Sequence, residues 1–424
     1  MNRGLSWVEE EALDRIESAT DCDAQGVVRG CFGAVRLESR FQPIFSLPHQ
    51  RAVGYEALMR PSLPGGEPLS PPAVFGGARE ISEAVRLDRL CRNLHVRNFC
   101  REGDRQSWLF LNVHPLTIAH GALFGAYFSE LLERYALVPR QVVIEIVEDA
   151  VQDEGLLAEA IGYYKRLGCL VAIDDFGTGA SNFNRVWRTE PDLVKFDRSL
   201  ITQATHTPRV RRALASLVAL VHESGSLALQ EGIETAEQAH IALDAGIDLV
   251  QGFHFARPGE RARVDGDVGA VFSALCRRFR SQAENEENAL AMELAEYREG
   301  FARLAADVAR GRPLSAVAGA MLARPRAERC YLLDAEGRQI GATVQGPHAP
   351  DARGGKFSPL ASASGAVWFR RPYFLRAMAH PGEIQTSRPY LSIAGGNLCL
   401  TLSVTLSGSA GERQVLCCDL AWED

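Results

Sequence analysis

Four short runs between Gln141 and Gln251 constrain this chain more than any other feature. They read Val142-Val143-Ile144-Glu145-Ile146-Val147-Glu148, Leu170-Val171-Ala172-Ile173-Asp174-Asp175, Leu193-Val194-Lys195-Phe196-Asp197 and Leu227-Ala228-Leu229-Gln230-Glu231. Each is mostly apolar and each ends in a carboxylate. Continuous apolar runs of this length suit strands buried on both faces. A carboxylate at the end of such a strand is too costly to bury alone, so it must meet water, a partner or a metal ion.

The order of segments extends the pattern. Strands are expected at Phe41–Phe45, Val53–Met59 and Trp108–Val113, then at 142–147, 170–174, 193–197 and 227–230, with a last one ending at Gln251. Helices are expected over 71–101, where Pro71 and Pro72 sit near the start, and over 121–135, 153–167 and 208–224. A further helix opens with a Thr235/Gln238 capping box and stops at Gly246. Strand–helix repetition predicts an α/β protein with a TIM-like (β/α)8 barrel, whose site lies at the carboxyl ends of the strands. An open doubly wound sheet is the alternative, weakened because no GxGxxG follows the first strand.

With 424 residues the chain exceeds one ordinary domain. The reading divides it into an N-terminal helix and extension (1–26), the barrel (27–262), linker helices (263–311) and a smaller α+β domain (312–424). Leu290, Leu294, Tyr297, Phe301, Leu304 and Val308 recur at steps of four and three. That heptad seam suits either pairing with a second chain or packing on its own domain. In the last part, Tyr331–Ile340 reads as a hairpin, and the alternation from Leu398 to Leu406 reads as a half-buried antiparallel strand.

Charge and cysteine usage narrow the class. Lys plus Arg is 46 and Asp plus Glu is 53, a net charge of -7, which argues against a nucleic-acid surface. Ten scattered cysteines form no CxxC pair, and Cys417 and Cys418 are adjacent, so reduced thiols in a cytoplasmic protein are expected. No apolar run approaches the roughly 18 residues of a membrane span. Glu9, Glu10 and Glu11 make the start of the chain unlike a signal peptide.

The polar groups at the expected strand ends are Glu56, Asn112, Glu145, Asp174, Asp175, Lys195, Asp197, Glu231, Glu234 and Gln251. Each alone reads as a helix cap or a surface charge. Gathered by a barrel, the carboxylates among them would repel one another unless cations sit between them. Oxygen donors without a Cys or His cluster favour Mg²⁺ or Mn²⁺ over zinc. Such ions attract phosphate, and two of them can clamp an in-line displacement at phosphorus. Lys195, the single side-chain cation of the set, would stabilise developing negative charge. Asp175-Phe176-Gly177 matches the kinase triplet, but no Gly-rich loop with a following Val-Ala-Ile-Lys accompanies it.

Tyr55-Glu56-Ala57-Leu58-Met59-Arg60 resembles the signature of the EAL family of cyclic di-GMP phosphodiesterases, and the resemblance covers roughly 30–260. Phe41-Gln42-Pro43-Ile44, Leu111-Asn112-Val113, Asp174–Gly179, Lys195-Phe196-Asp197, Glu231-Gly232-Ile233-Glu234 and Gln251-Gly252-Phe253 are similar to further family motifs. Glu145-Ile146-Val147-Glu148 resembles another, with Val147 where Thr is usual; Ala180-Ser181-Asn182 departs from an aromatic-Ser-Ser. The resemblance implies a barrel that hydrolyses cyclic di-GMP to linear pGpG with Mg²⁺ or Mn²⁺. It implies that Glu56, Asn112, Glu145 and Asp174 hold one metal. Asp174 and Asp175 would help hold a second, with Asp197 and Glu234 close by. Lys195 and Glu231 would orient or activate water, and Gln251, Arg60 and Gln42 would contact substrate or order the site. Glu148 would anchor the loop 176–185, which in the family couples dimerisation to activity, so a homodimer is expected. A receptor that binds without turnover, and a scaffold that binds nothing, are the other readings; the full ligand set favours the enzyme.

Residues 312–424 resemble PAS/Cache-like sensor domains through Trp368–Tyr373, Ser387-Arg388-Pro389-Tyr390 and Asp419. In such domains similar positions often line a small-ligand pocket; a regulatory or dimerising domain without a ligand is the equal alternative. No GGDEF-like run precedes the barrel.

Overall fold

The structure is a computed structural model that describes residues 13–102, 106–120, 127–147, 154–177, 183–264, 266–350, 363–393, 395–408 and 411–422. The chain divides into two compact units between Ser281 and Gln282.

The first unit is built on ten strands: β1 (Thr20–Cys22), β2 (Val28–Phe32), β3 (Val35–Ser46), β4 (Arg51–Ser62), β5 (Trp108–Asn112), β6 (Val142–Val147), β7 (Leu170–Phe176), β8 (Leu193–Phe196), β9 (Leu227–Gln230) and β10 (Leu249–Val250). Strands β4 to β10 pair in parallel, each with the next. β3 pairs with both β4 and β10 and closes an eight-stranded barrel. β3 runs antiparallel to both neighbours, a departure from strict (β/α)8 repetition. The cause is local: only the turn 47–50, with Gln50 at φ 53°, joins β3 to β4, and so short a connection makes a hairpin.

The barrel is plugged by one apolar layer. Ile44, Phe110, Val143, Ala172, Leu193, Leu229 and Leu249 come from seven of its strands and pack together. The eighth, β4, contributes Gly54, where a Cβ would lie 2.7 Å from the Phe110 ring. One large aromatic therefore fills the space of two side chains. Because strand side chains alternate with period two, the residues two positions further along face the same interior.

Helices cover the outside. The helical stretch expected over 71–101 is two helices, Pro71–Gly76, capped by Ser70, and Ile81–Arg101. The stretch expected over 121–135 is represented by Tyr127–Arg134, preceded by Pro115–His120; residues 121–126 lie outside the described residues. The Thr235/Gln238 capping box forms. One 42-residue helix, Val268–Ala309, runs across the division between the units. Phe272 and Leu275 enter the core that also holds Phe45 and Phe255. The heptad seam packs within the second unit, with Leu294, Phe301 and Leu304 buried there.

The second unit is an antiparallel sheet of β11 (Ala327–Leu333), β12 (Gln339–Gln345), β13 (Gln385–Thr386), β14 (Tyr390–Leu391), β15 (Leu398–Ser407) and β16 (Arg413–Ala421). One face packs on Phe301, Leu304 and Met321. The other packs on the helix Pro372–Ala379 and carries Tyr331, Val415 and Cys417. Among the described residues, no helix is long and apolar enough to cross a membrane.

Candidate active site

Two residues beyond the apolar plug, every barrel strand presents a polar side chain. Counting forward on the parallel strands gives Glu56, Asn112, Glu145, Asp174, Lys195, Glu231 and Gln251; counting backward on antiparallel β3 gives Gln42. The strand ends therefore carry a ring of acids, amides and one lysine above a dry floor.

Lys195 is fully buried at its centre. Its Nζ lies 2.5 Å from Glu145 Oε1, 2.7 Å from Glu231 Oε1, 3.1 Å from Asp174 Oδ1 and 4.0 Å from Glu56 Oε1. Burial alone would depress its pKa, but Asp174, Glu145, Glu231 and Glu56 hold the ammonium well above its usual range. Burial and the charge of Glu56 push the Glu145 carboxyl well up, against the pull of Lys195. Burial also raises Glu231, to about 8. Glu56 goes the other way: burial works to raise it, but Lys195 and the amides of Gln251 and Asn112 hold it below the usual range. Those amides donate to Glu56 at 2.6 Å and 3.0 Å. The ring thus holds more carboxylates than its one lysine can balance.

Asp175 extends the acidic patch. It sits at φ 59°, a left-handed conformation that Asp tolerates better than most residues, and its N–H donates to Asp174 Oδ1 at 2.9 Å. Burial and Asp174 raise its pKa. Carboxylate oxygens of Asp174, Asp175 and Glu231 all lie within 4.8 Å of one another.

The remaining expected residues are placed differently. Asp197 caps the helix Arg198–His206 by accepting from Ser199 N at 2.8 Å. Glu234 pairs with Arg198 at 2.8 Å on the rim. Gln42 stands opposite Glu56 in the β3–β4 ladder. Arg60 follows on β4, exposed, and donates to Met59 O. Glu148 and residues 178–182 of the loop 176–185 lie outside the described residues.

Two supporting residues were not singled out from the sequence. Gln230 is fully buried, and its amide donates to the carbonyls of Phe196, Asp197 and Glu231 at 3.0 to 3.2 Å. It ties the end of β8 to the end of β9, next to Lys195 and Glu231. Its signal was a lone amide on the apolar outer face of β9. Asp88, in a buried 2.6 Å pair with Arg92, accepts from His114 N and fixes the chain just after Asn112.

A closed barrel with a buried lysine inside a strand-end ring of acids defines a class of site suited to phosphate esters and hard cations. The chain belongs to the EAL domain family, whose model matches residues 29–258. It is similar to the cyclic di-GMP phosphodiesterase RocR of Pseudomonas aeruginosa, 30% identical over 250 residues that cover 58% of this chain and 62% of RocR. The chain spans 29% to 62% of the length of the first curated relatives it matches. Its fold is similar to that of the Bacillus subtilis YkuI protein, an EAL-domain protein solved in complex with substrate c-di-GMP and calcium. That likeness has a TM-score of 0.76 at 23% identity, over 92% of this chain and 97% of YkuI. A standalone EAL protein from Vibrio cholerae O395, solved in its c-di-GMP bound form, is 27% identical with a TM-score of 0.50, over 55% of this chain and 97% of that one.

Proposed function

We propose that this protein is a metal-dependent phosphodiesterase that hydrolyses cyclic di-GMP to linear pGpG. The observation that carries the reading is the ring itself: four carboxylates converge on one sealed lysine at the mouth of the barrel.

The donor set fits a hard divalent cation. Among the described residues, both Glu145 oxygens are buried with no hydrogen-bond partner beyond the ion pair with Lys195. Glu56, Asn112, Glu145 and Asp174 would hold one Mg²⁺ or Mn²⁺. Asp174 and Asp175 would hold a second, with Asp197 and Glu234 at the rim. Bound there, such ions polarise a phosphodiester and lower the pKa of water.

The chain's own residues do the rest. Asn112 and Gln251 lock the Glu56 carboxylate by its two oxygens. Lys195 faces the charge that develops on the phosphoryl oxygens, and Glu231, held by Lys195, orients the attacking water. Gln42, opposite Glu56 on β3, and Arg60, on β4, would contact the substrate or order the site. The apolar plug keeps bulk water from reaching the ring from below.

Residues 312–424 tune this activity as a PAS/Cache-like sensor unit, and the protein acts as a homodimer in the cytoplasm. What supports regulation is the continuous helix Val268–Ala309, whose residues enter the core of each unit. Ten free cysteines fit a reducing compartment. A fragment ending at Ser281, which keeps Phe272 and Leu275, should retain turnover at an altered rate; identical rate and identical sedimentation would remove the regulatory role.

Chromatography of cyclic di-GMP incubated with the full chain tests the reaction. Linear pGpG is expected with Mg²⁺ or Mn²⁺ and none with EDTA. Tight binding without turnover would make the protein a receptor instead.

A further inference from the structure

Arg40 directly precedes Phe41-Gln42-Pro43-Ile44 and belongs to none of the motifs that mark the site. On antiparallel β3 the side chains facing the barrel interior are Ile44 in the apolar plug and Gln42 in the ring. Period-two alternation makes Arg40 the next residue outward on that face. Burial along β3 follows the same alternation: Leu37, Ser39 and Phe41 are buried, while Glu38, Arg40 and Gln42 are half-buried.

Arg40 stands opposite Leu58 in the β3–β4 ladder, and Arg60 lies two residues beyond Leu58 on the same face of β4. Two guanidinium side chains therefore share one side of the rim. They act on each other: desolvation lowers the Arg60 pKa most, Glu56 raises it, and the charge of Arg40 lowers it again. Holding like charges on one strand pair is unfavourable unless an anion comes between them.

Neither cation is sealed in an ion pair. Among the described residues Arg60 pairs with no carboxylate, and it donates to Met59 O at 3.0 Å. Arg40 meets Glu260 at 2.6 Å, with the two side chains 28% and 71% exposed. Glu38 lies farther from Arg40, at 3.7 Å, and engages Arg29 at 3.0 Å. A pair as open to water as Arg40 and Glu260 is worth little, so a ligand anion can take the guanidinium from it.

We infer that Arg40, together with Arg60, binds the second, non-scissile phosphodiester of the substrate. This rests on the reading of the protein as a cyclic di-GMP phosphodiesterase and adds to it a residue that selects a ligand with two phosphodiesters. The ring takes the phosphodiester that is cleaved. The other lies outside the ring, where forked guanidinium donors match its oxygens.

Calorimetry on the full chain in Ca²⁺ tests this with cyclic di-GMP and with the linear dinucleotide GpG, which has both bases and a single phosphodiester. Arg40→Gln should weaken binding of cyclic di-GMP by roughly fivefold or more and leave GpG within about twofold. Arg40→Lys, which keeps the charge and loses the fork, should fall between parent and Arg40→Gln. In Mg²⁺ the Arg40→Gln protein should show a raised KM for cyclic di-GMP with kcat nearly unchanged. Circular dichroism checks that each variant is folded. Unchanged affinity for cyclic di-GMP in Arg40→Gln, equal losses for both ligands, or a parent chain that binds GpG as tightly as cyclic di-GMP would each overturn the inference and leave the phosphodiesterase reading standing. A parent chain that binds no cyclic di-GMP would overturn both.

Discussion

Lys195 Nζ lies 2.5 Å from Glu145 Oε1, and both side chains are completely sealed from solvent. Burying such a pair seldom adds net stability, because stripping water from two charges offsets their attraction. Its place at the mouth of the barrel therefore points to chemistry. Lys195→Ala is expected to lower kcat by a factor on the order of 10²–10³, as for loss of one charge-stabilising donor, with Kd for cyclic di-GMP changed by about threefold or less. Steady-state kinetics beside calorimetry check the split. A large rise in Kd with kcat unchanged would make Lys195 a simple binding residue.

Glu56 is fixed through both oxygens, by Asn112 and Gln251. Glu56→Ala should abolish hydrolysis, since a methyl group offers no ligand oxygen. Combined with Glu145→Gln it should cost little more than either change alone, because the two serve one site. Parental rates in Glu56→Ala would remove it from the site.

Gln230 makes three hydrogen bonds to the carbonyls that end β8 and β9. Gln230→Ala should destabilise the first unit by about 1–3 kcal/mol through the lost hydrogen bonds, above all the one to the Glu231 carbonyl, and lower kcat roughly tenfold, with KM nearly unchanged. Gln230→Glu should not rescue it, because a carboxylate cannot donate. A variant that loses stability and keeps full kcat would confine Gln230 to a structural role.

Much of this was legible because β6 to β9 are short, apolar and cut off by polar residues, so period-two counting finds the ring. The antiparallel course of β3 was not, since the side chains of Phe41–Phe45 alternate the same way in either direction. The linker helices expected over 263–311 form one helix, Val268–Ala309, because the polar stretch Ser281–Asn288 between their apolar stripes is rich in Gln, Ala and Glu, which favour helix. Gln230 escaped because its partners are backbone carbonyls, which no side-chain pattern records.

His95 is 5% exposed and hydrogen-bonded to Ser39 at 2.8 Å. Burial, with the charge of Arg60, holds its pKa down to about 3. The unfolded chain, with a pKa near 6.5, binds a proton that the folded chain refuses. Stability of the first unit should therefore fall as pH drops from about 6.5 toward 3, by up to about 1.4 kcal/mol per pH unit from this residue. Urea denaturation at several pH values should show a shallower acid loss in His95→Gln. An identical pH dependence would mean that His95 is not held neutral.

Mn²⁺ should bind within the ring, and electron paramagnetic resonance of Mn²⁺ titrated into the full chain reads that binding. Bound Mn²⁺ that Mg²⁺ displaces is expected, with affinity at least tenfold weaker in Asp174→Asn, since the Asp174 carboxylate touches both Lys195 and the Asp175 backbone. No bound Mn²⁺, or equal affinity in Asp174→Asn, would contradict it.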